Sequence, residues 1–187
     1  MKIFVPWIWI RVGLFVVIEI GLLYLYHLEG ERDRATILFL ATIVAGAFGF
    51  FSYLHAIEEK RLVAASHLIE RWNSPELYPW RKILKEVTDE KLDPEVLMRK
   101  FKGEVQDPDI LEKRYAISSL LNFFEEMAIS VAERSADEEK LNRFFGQIVN
   151  QVYTRLEGFI ANERKIDNAN RYYIDFQKLT DRWRRRR

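Results

Sequence analysis

Glu125 and Glu126 stand side by side in the segment NFFEEMA, residues 122–128. Neighbouring carboxylates are raw material for metal binding and for acid–base catalysis. At helical spacing Glu125 borders the apolar positions Leu121 and Ala128, and Glu126 turns toward solvent. A carboxylate metal site on helices also wants a Glu-x-x-His pair, and the three histidines, His27, His55 and His67, supply none. The expectation is therefore a salt bridge or hydrogen bond to Arg71 or Asn122, with no metal and no catalytic residue. Phosphate cradles are missing too. Gly103, Gly146 and Gly158 lie too far apart for a G-x-G-x-x-G turn or a P-loop, and no G-x-S-x-G elbow can be written. The chain has no cysteine, which removes thiolate nucleophiles, disulfides and cysteine metal sites together. No cofactor is expected, and enzyme chemistry has little to stand on.

Three other places carry chemistry. In NSPELYPW, residues 73–80, Trp80 and Tyr78 follow Arg71 and Trp72. With Glu125 these residues either line a small cytosolic pocket or form a hydrophobic lock that pins the linker to a helical bundle. The C-terminal run Arg184, Arg185, Arg186 and Arg187 is open to three readings: a solvated end, contact with lipid headgroups at on the order of 1 kcal/mol per cation, or nucleic-acid contact. The last is disfavoured, because without those four arginines the segment 56–187 carries a net charge of −3 rather than +1. The third place is Glu19, in LFVVIEIGLLYLYH, a carboxyl inside a run otherwise fit for a bilayer. Intramembrane ionisable groups are rare and act as functional candidates.

The elements that position these residues divide the chain at about residue 55. Residues 1–55 carry four basic and four acidic side chains among long apolar runs, and the other 25 and 24 lie beyond. Residues 35–55 hold no charge over about 20 positions, the length of a spanning helix. A first span over residues 12–28 places Arg11 near the headgroups, Trp7 and Trp9 in the interfacial belt and Pro6 near the helix start. The connection EGERDR, residues 29–34, makes the pair an antiparallel hairpin. Flanking cations Lys2, Arg11, Lys60, Arg61 and Arg71 favour both termini in the cytoplasm. Ala41, Ala45 and Gly49 recur every four residues, with Thr42 and Gly46 adjacent, so a second helix can approach closely. The approaching helix is either the hairpin partner or another subunit. Glu19, level with residues 44–46, is then a neutral acid bonded within the hairpin, for example to Thr42, a clasp between subunits, or a pore-lining charge.

Residues 56–187 read as a cytosolic helical domain with a basic tail. A single helix from Ala35 to Trp72 would extend roughly 57 Å, and Leu62, Ala65, Ile69 and Trp72 continue an apolar stripe. Ser74-Pro75 starts the next turn. Asp93-Pro94-Glu95 and Asp107-Pro108-Asp109 read as helix starts, Gly103 as a stop after residues 96–101, and Ser135 with Glu138 as a capping box. Ile117, Leu120, Leu121, Phe124, Met127, Ala128 and Val131 form one face. Leu141, Phe145, Ile148, Val152, Leu156 and Phe159 form the facing stripe, and Tyr172, Phe176, Leu179 and Trp183 a shorter third. The fold class is all-α, a two-helix transmembrane hairpin followed by an antiparallel helical bundle.

RWNSPEL (Arg71–Leu77) and NFFEEMA carry a resemblance. With the N-terminal apolar helices, residues 55–183 resemble a family of small bacterial membrane proteins bearing a domain of unknown function, number 4760. The resemblance implies a membrane-tethered helical domain in the bacterial inner membrane and supplies no activity. The functional expectation is a membrane-anchored scaffold or signalling module that self-associates or binds a cytosolic protein partner, with membrane lipids around it. The alternative is an oligomeric ion channel with Glu19 near the pore axis.

Overall fold

The computed structural model describes residues 4–28, 31–89, 108–166 and 171–186, and among them the regular structure is all helical. Two compact units follow one another, Met1–Ile57 and Glu58–Arg187. The helices are α1 (Phe4–Leu28), α2 (Glu31–Asn73), a 3₁₀ turn (Pro75–Leu77), α3 (Tyr78–Thr88), α4 (Pro108–Ala132), α5 (Glu138–Ile166) and α6 (Ile174–Arg185). The expected helix starts at Asp93 and Asp107, the segment 96–101 with Gly103, Glu29 and Gly30 of the connection, and Arg187 lie outside the described residues. So do the side chains of Pro6, Trp7, Trp9 and Arg11.

In the first unit α1 and the first part of α2 pack antiparallel. Phe15 stacks on Phe48 with ring centroids 4.2 Å apart, and the Arg34 guanidinium lies 5.2 Å from the Tyr26 ring centre. The partly covered positions on α1 are Val12, Phe15, Glu19, Leu22 and Tyr26; on α2 they are Arg34, Ile37, Ala41, Val44 and Phe48. Alternating steps of three and four are the signature of a left-handed helical seam. By length and composition one described helix, Arg34–Asn73, is long and apolar enough to cross a membrane, and none of its apolar window is buried. α1 offers a shorter apolar run, Phe15–His27, rather than a second span of that length.

In the second unit α4 and α5 are antiparallel, with Arg114 paired to Glu163 at 2.9 Å at one end and Phe124 facing Phe145 farther along. α6 returns antiparallel to α5, from Arg164–Gln177 to Glu138–Arg186. The C-terminal part of α2 closes the core through Ala65, Leu68 and Trp72, all buried. Every named position on the α4 face is buried, and Phe123 joins them. Leu62 is instead 42 % exposed, while Leu68, between Ala65 and Trp72, is buried. Tyr172 is exposed because α6 begins at Ile174, after it.

The capping expectation before α5 needs correction. Asp137 directly precedes the helix, and its Oδ1 accepts from the Lys140 amide at 2.7 Å. Ser135 faces the other way: its amide and its hydroxyl both donate to the Ser130 carbonyl, closing the end of α4. A cap must sit next to the first helical residue, so the nearer acceptor takes the role.

Candidate functional site

The aromatic cluster fixes most of the candidates in the second unit. The Trp72 ring centre lies 5.4 Å from Phe123, 5.5 Å from Phe124 and 5.6 Å from Phe145. Its space is filled by rings at edge-to-face and tilted geometries, which favour aromatic packing. Trp80 packs against the same core, while Tyr78 is 63 % exposed. Arg71 lies over the Phe123 ring at 5.3 Å and pairs with Glu126 at 2.8 Å. The expected partner for Arg71 was Glu125 or its neighbour; the structure gives it Glu126, the exposed member of the pair.

Glu125 does something else. Its carboxylate reaches α6, where Oε1 accepts from the Asp175 amide at 3.2 Å and Oε2 from the Phe176 amide at 2.7 Å. The local reason is in α6 itself. The residue at the N-cap position is Tyr173, in the left-handed region at φ 56°, and it makes no side-chain cap. Unsatisfied amides and the positive end of the helix dipole therefore await an anion. α4 supplies it from fifty residues away in sequence. Burial first, then the carboxylate of Glu163, push the Tyr173 hydroxyl up to about 12. Glu163 is itself buried, and its ion pair with Arg114 joins the ends of α4 and α5.

Glu19 occupies a seam position, and its Oε1 is buried without a hydrogen-bond partner. Thr42 does not meet it. Thr42 is exposed, one step off the seam, and its hydroxyl donates to the Leu38 carbonyl at 2.9 Å. Of the small residues, Ala41 is in the seam, while Ala45, Gly46 and Gly49 are exposed. A Cβ added at Gly46 or Gly49 would meet nothing within 4 Å, so these glycines are not spent on packing within the chain.

The arginines near the C-terminus separate by face. Arg184 turns to α5, bonding Asn150 at 2.5 Å and Thr154 at 2.7 Å and lying over the Tyr153 ring. Arg186 pairs with Glu138 at 3.0 Å, and the same Glu138 oxygen accepts from the Trp183 indole at 2.9 Å. Sequence reasoning missed Glu138 as a clasp. The available signal was its place in the first turn of α5 opposite a helix end rich in arginine. Among the described residues no three His, Cys, Asp or Glu side chains gather to hold a metal ion.

The sequence profile of a domain of unknown function, DUF4760, matches residues 36–183. The chain belongs to this family. The match takes in both segments that suggested it, RWNSPEL and NFFEEMA, together with most of α2 and all of the aromatic core. No curated protein and no solved structure matches the chain.

Proposed function

We propose that this DUF4760 member is a membrane-anchored, non-catalytic helical module, with unit Met1–Ile57 as a two-helix membrane hairpin and the bundle on the cytosolic side. The observation that carries this reading is the distribution of exposed apolar side chains. Among the described residues, sixteen large exposed hydrophobics precede Glu58 and seven follow it, although the second unit is more than twice as long. Moving each such side chain from water to hydrocarbon is worth roughly 1.5–3 kcal/mol. A water-facing hairpin would forgo most of that, whereas a bilayer satisfies it. The module acts through self-association or by binding a cytosolic protein. Self-association draws support from Ala45, Gly46 and Gly49, which are exposed beside the seam and leave a close approach to α2 open. Glu19 in the intrachain seam favours a polar group within the hairpin over a ring around a pore.

The test uses the native lack of cysteine. Single variants Arg32→Cys and Ser135→Cys, expressed in bacterial cells, are treated with a membrane-impermeant thiol reagent. The hairpin predicts labelling at position 32 in intact cells and at position 135 only after the membrane is opened. Extraction of the chain by alkaline carbonate, or equal labelling of both sites in intact cells, would sink the reading.

A further inference from the structure

α6 and the end of α4 flank an open surface cleft of about 420 Å³, lined by Ala128, Ala132, Leu179 and Asp175 together with Lys178, Arg182, Arg185 and Arg186. Lys178, Arg182, Arg185 and Arg186 fall on one side of α6 at steps of four, three and one. Like charges at helical spacing repel. The end of the helix dipole offsets part of this for Arg185 and Arg186 in the last turn, but its reach ends there. It does not account for Lys178 and Arg182.

The internal counter-charges fall short. Asp175 pairs with Lys178 at 3.0 Å. A single oxygen of Glu138 serves Trp183, Arg186 and Arg182 at once. A carboxylate oxygen has room for about two good donors. Arg182 Nε accordingly lies 3.2 Å from it, yet makes no hydrogen bond and is cut off from solvent. Among the described residues Arg185 donates only to the Asp181 carbonyl, at 3.2 Å. The residues that line the cleft bring four cations and one carboxylate, Asp175, and Glu138 is shared with them from α5, so the lining is net positive. The planar guanidinium forks match the oxygens of phosphate in both spacing and charge. The cleft volume falls within the range of small-molecule sites, and Ala128, Ala132 and Leu179 give it an apolar floor.

We propose that this cleft binds a phosphate-bearing anion, with Lys178, Arg182, Arg185 and Arg186 as its ligands. Arg184, which shares their sequence run, is not part of the site, because it is committed to Asn150 and Thr154 on α5. The phosphate comes either from a soluble molecule or from a lipid headgroup, and the two sources are separable. The site rests on the second unit alone and does not depend on how the first meets a membrane.

The full chain, held in neutral phosphatidylcholine nanodiscs, is titrated calorimetrically with inorganic pyrophosphate and with dihexanoyl phosphatidic acid, each against empty discs. The expected result is saturable binding of at least one probe, near one per chain. Lys178→Ala/Arg185→Ala weakens it at least about tenfold, and Arg184→Ala leaves it within about twofold. Tighter binding of the phosphatidic acid assigns a lipid source, tighter binding of pyrophosphate a soluble one. Among the described residues Lys178 and Arg185 bond only within α6, so the double variant should keep its helical circular dichroism. If it does not, Arg185→Gln is read in its place. Failure of both probes to saturate on the wild type, or an equal loss in Arg184→Ala, overturns the proposal.

Discussion

Glu125 illustrates how far a single side chain can be read in advance. Its partial burial at the edge of the α4 face follows from its spacing to Leu121 and Ala128. Its partner does not, because the amides of Asp175 and Phe176 are backbone groups fifty residues on. Sequence patterns reveal side chains that need partners far better than helix ends that lack a cap. Tyr173, which the structure places at the N-cap position, is a residue type that cannot serve there. Replacing Glu125 with alanine removes a charged acceptor from two amides and should cost about 1–3 kcal/mol. Glu125→Gln keeps an acceptor and should recover part of that. Urea unfolding of the full chain in mild detergent, followed by far-ultraviolet circular dichroism, measures both. Equal stability of wild type and Glu125→Ala would mean that α6 finds its cap elsewhere.

At the level of elements, apolar periodicity located α4, α5 and α6 well, since each buries a stripe several turns long. It was less reliable where stripes are short. Leu62 and Leu68 are both compatible with the pattern on α2, and only the position of the bundle decides between them. The short connection between α1 and α2 carries no register. Phe15 against Phe48 and Tyr26 against Arg34 fix that register and set Glu19 opposite the region of Thr42 to Val44. The seam predicts that Phe15→Cys/Phe48→Cys, in a chain otherwise free of cysteine, forms an intramolecular cross-link under mild oxidation. Peptide mapping distinguishes it from a link between chains. A cross-link found only between chains would require the two helices to pair with another copy instead.

For the molecule as a whole, the family match and the break between Ile57 and Glu58 describe one chain with two kinds of surface. The second unit carries a titration that reports its folding. Burial raises the hydroxyls of Tyr153 and Tyr173, the latter to about 12, from an ordinary 10.0. Below pH 10 both states keep these protons, so the stability they confer is fully present. Above it the unfolded chain loses protons that the folded chain retains, and stability falls as pH rises through about 12. Tyr173→Phe should flatten that decline, as measured by urea midpoints at a series of pH values from 9 to 12. An unchanged slope would place the alkaline sensitivity at other groups. Charge and hydropathy change near residue 55, but they carry no trace of the ties that close the bundle. Those ties run between a carboxylate and a backbone, or between one carboxylate and several donors.

Glu138 has an optical corollary. Its Oε1 holds the Trp183 indole N–H together with Arg186 and, at longer range, Arg182. Indole emission responds to nearby charge and to its hydrogen bond, so any anion that draws the two guanidiniums away from Glu138 changes the field at Trp183. The protein thus contains its own fluorophore beside the arginine cluster, and occupancy there can be followed by intrinsic fluorescence without a label.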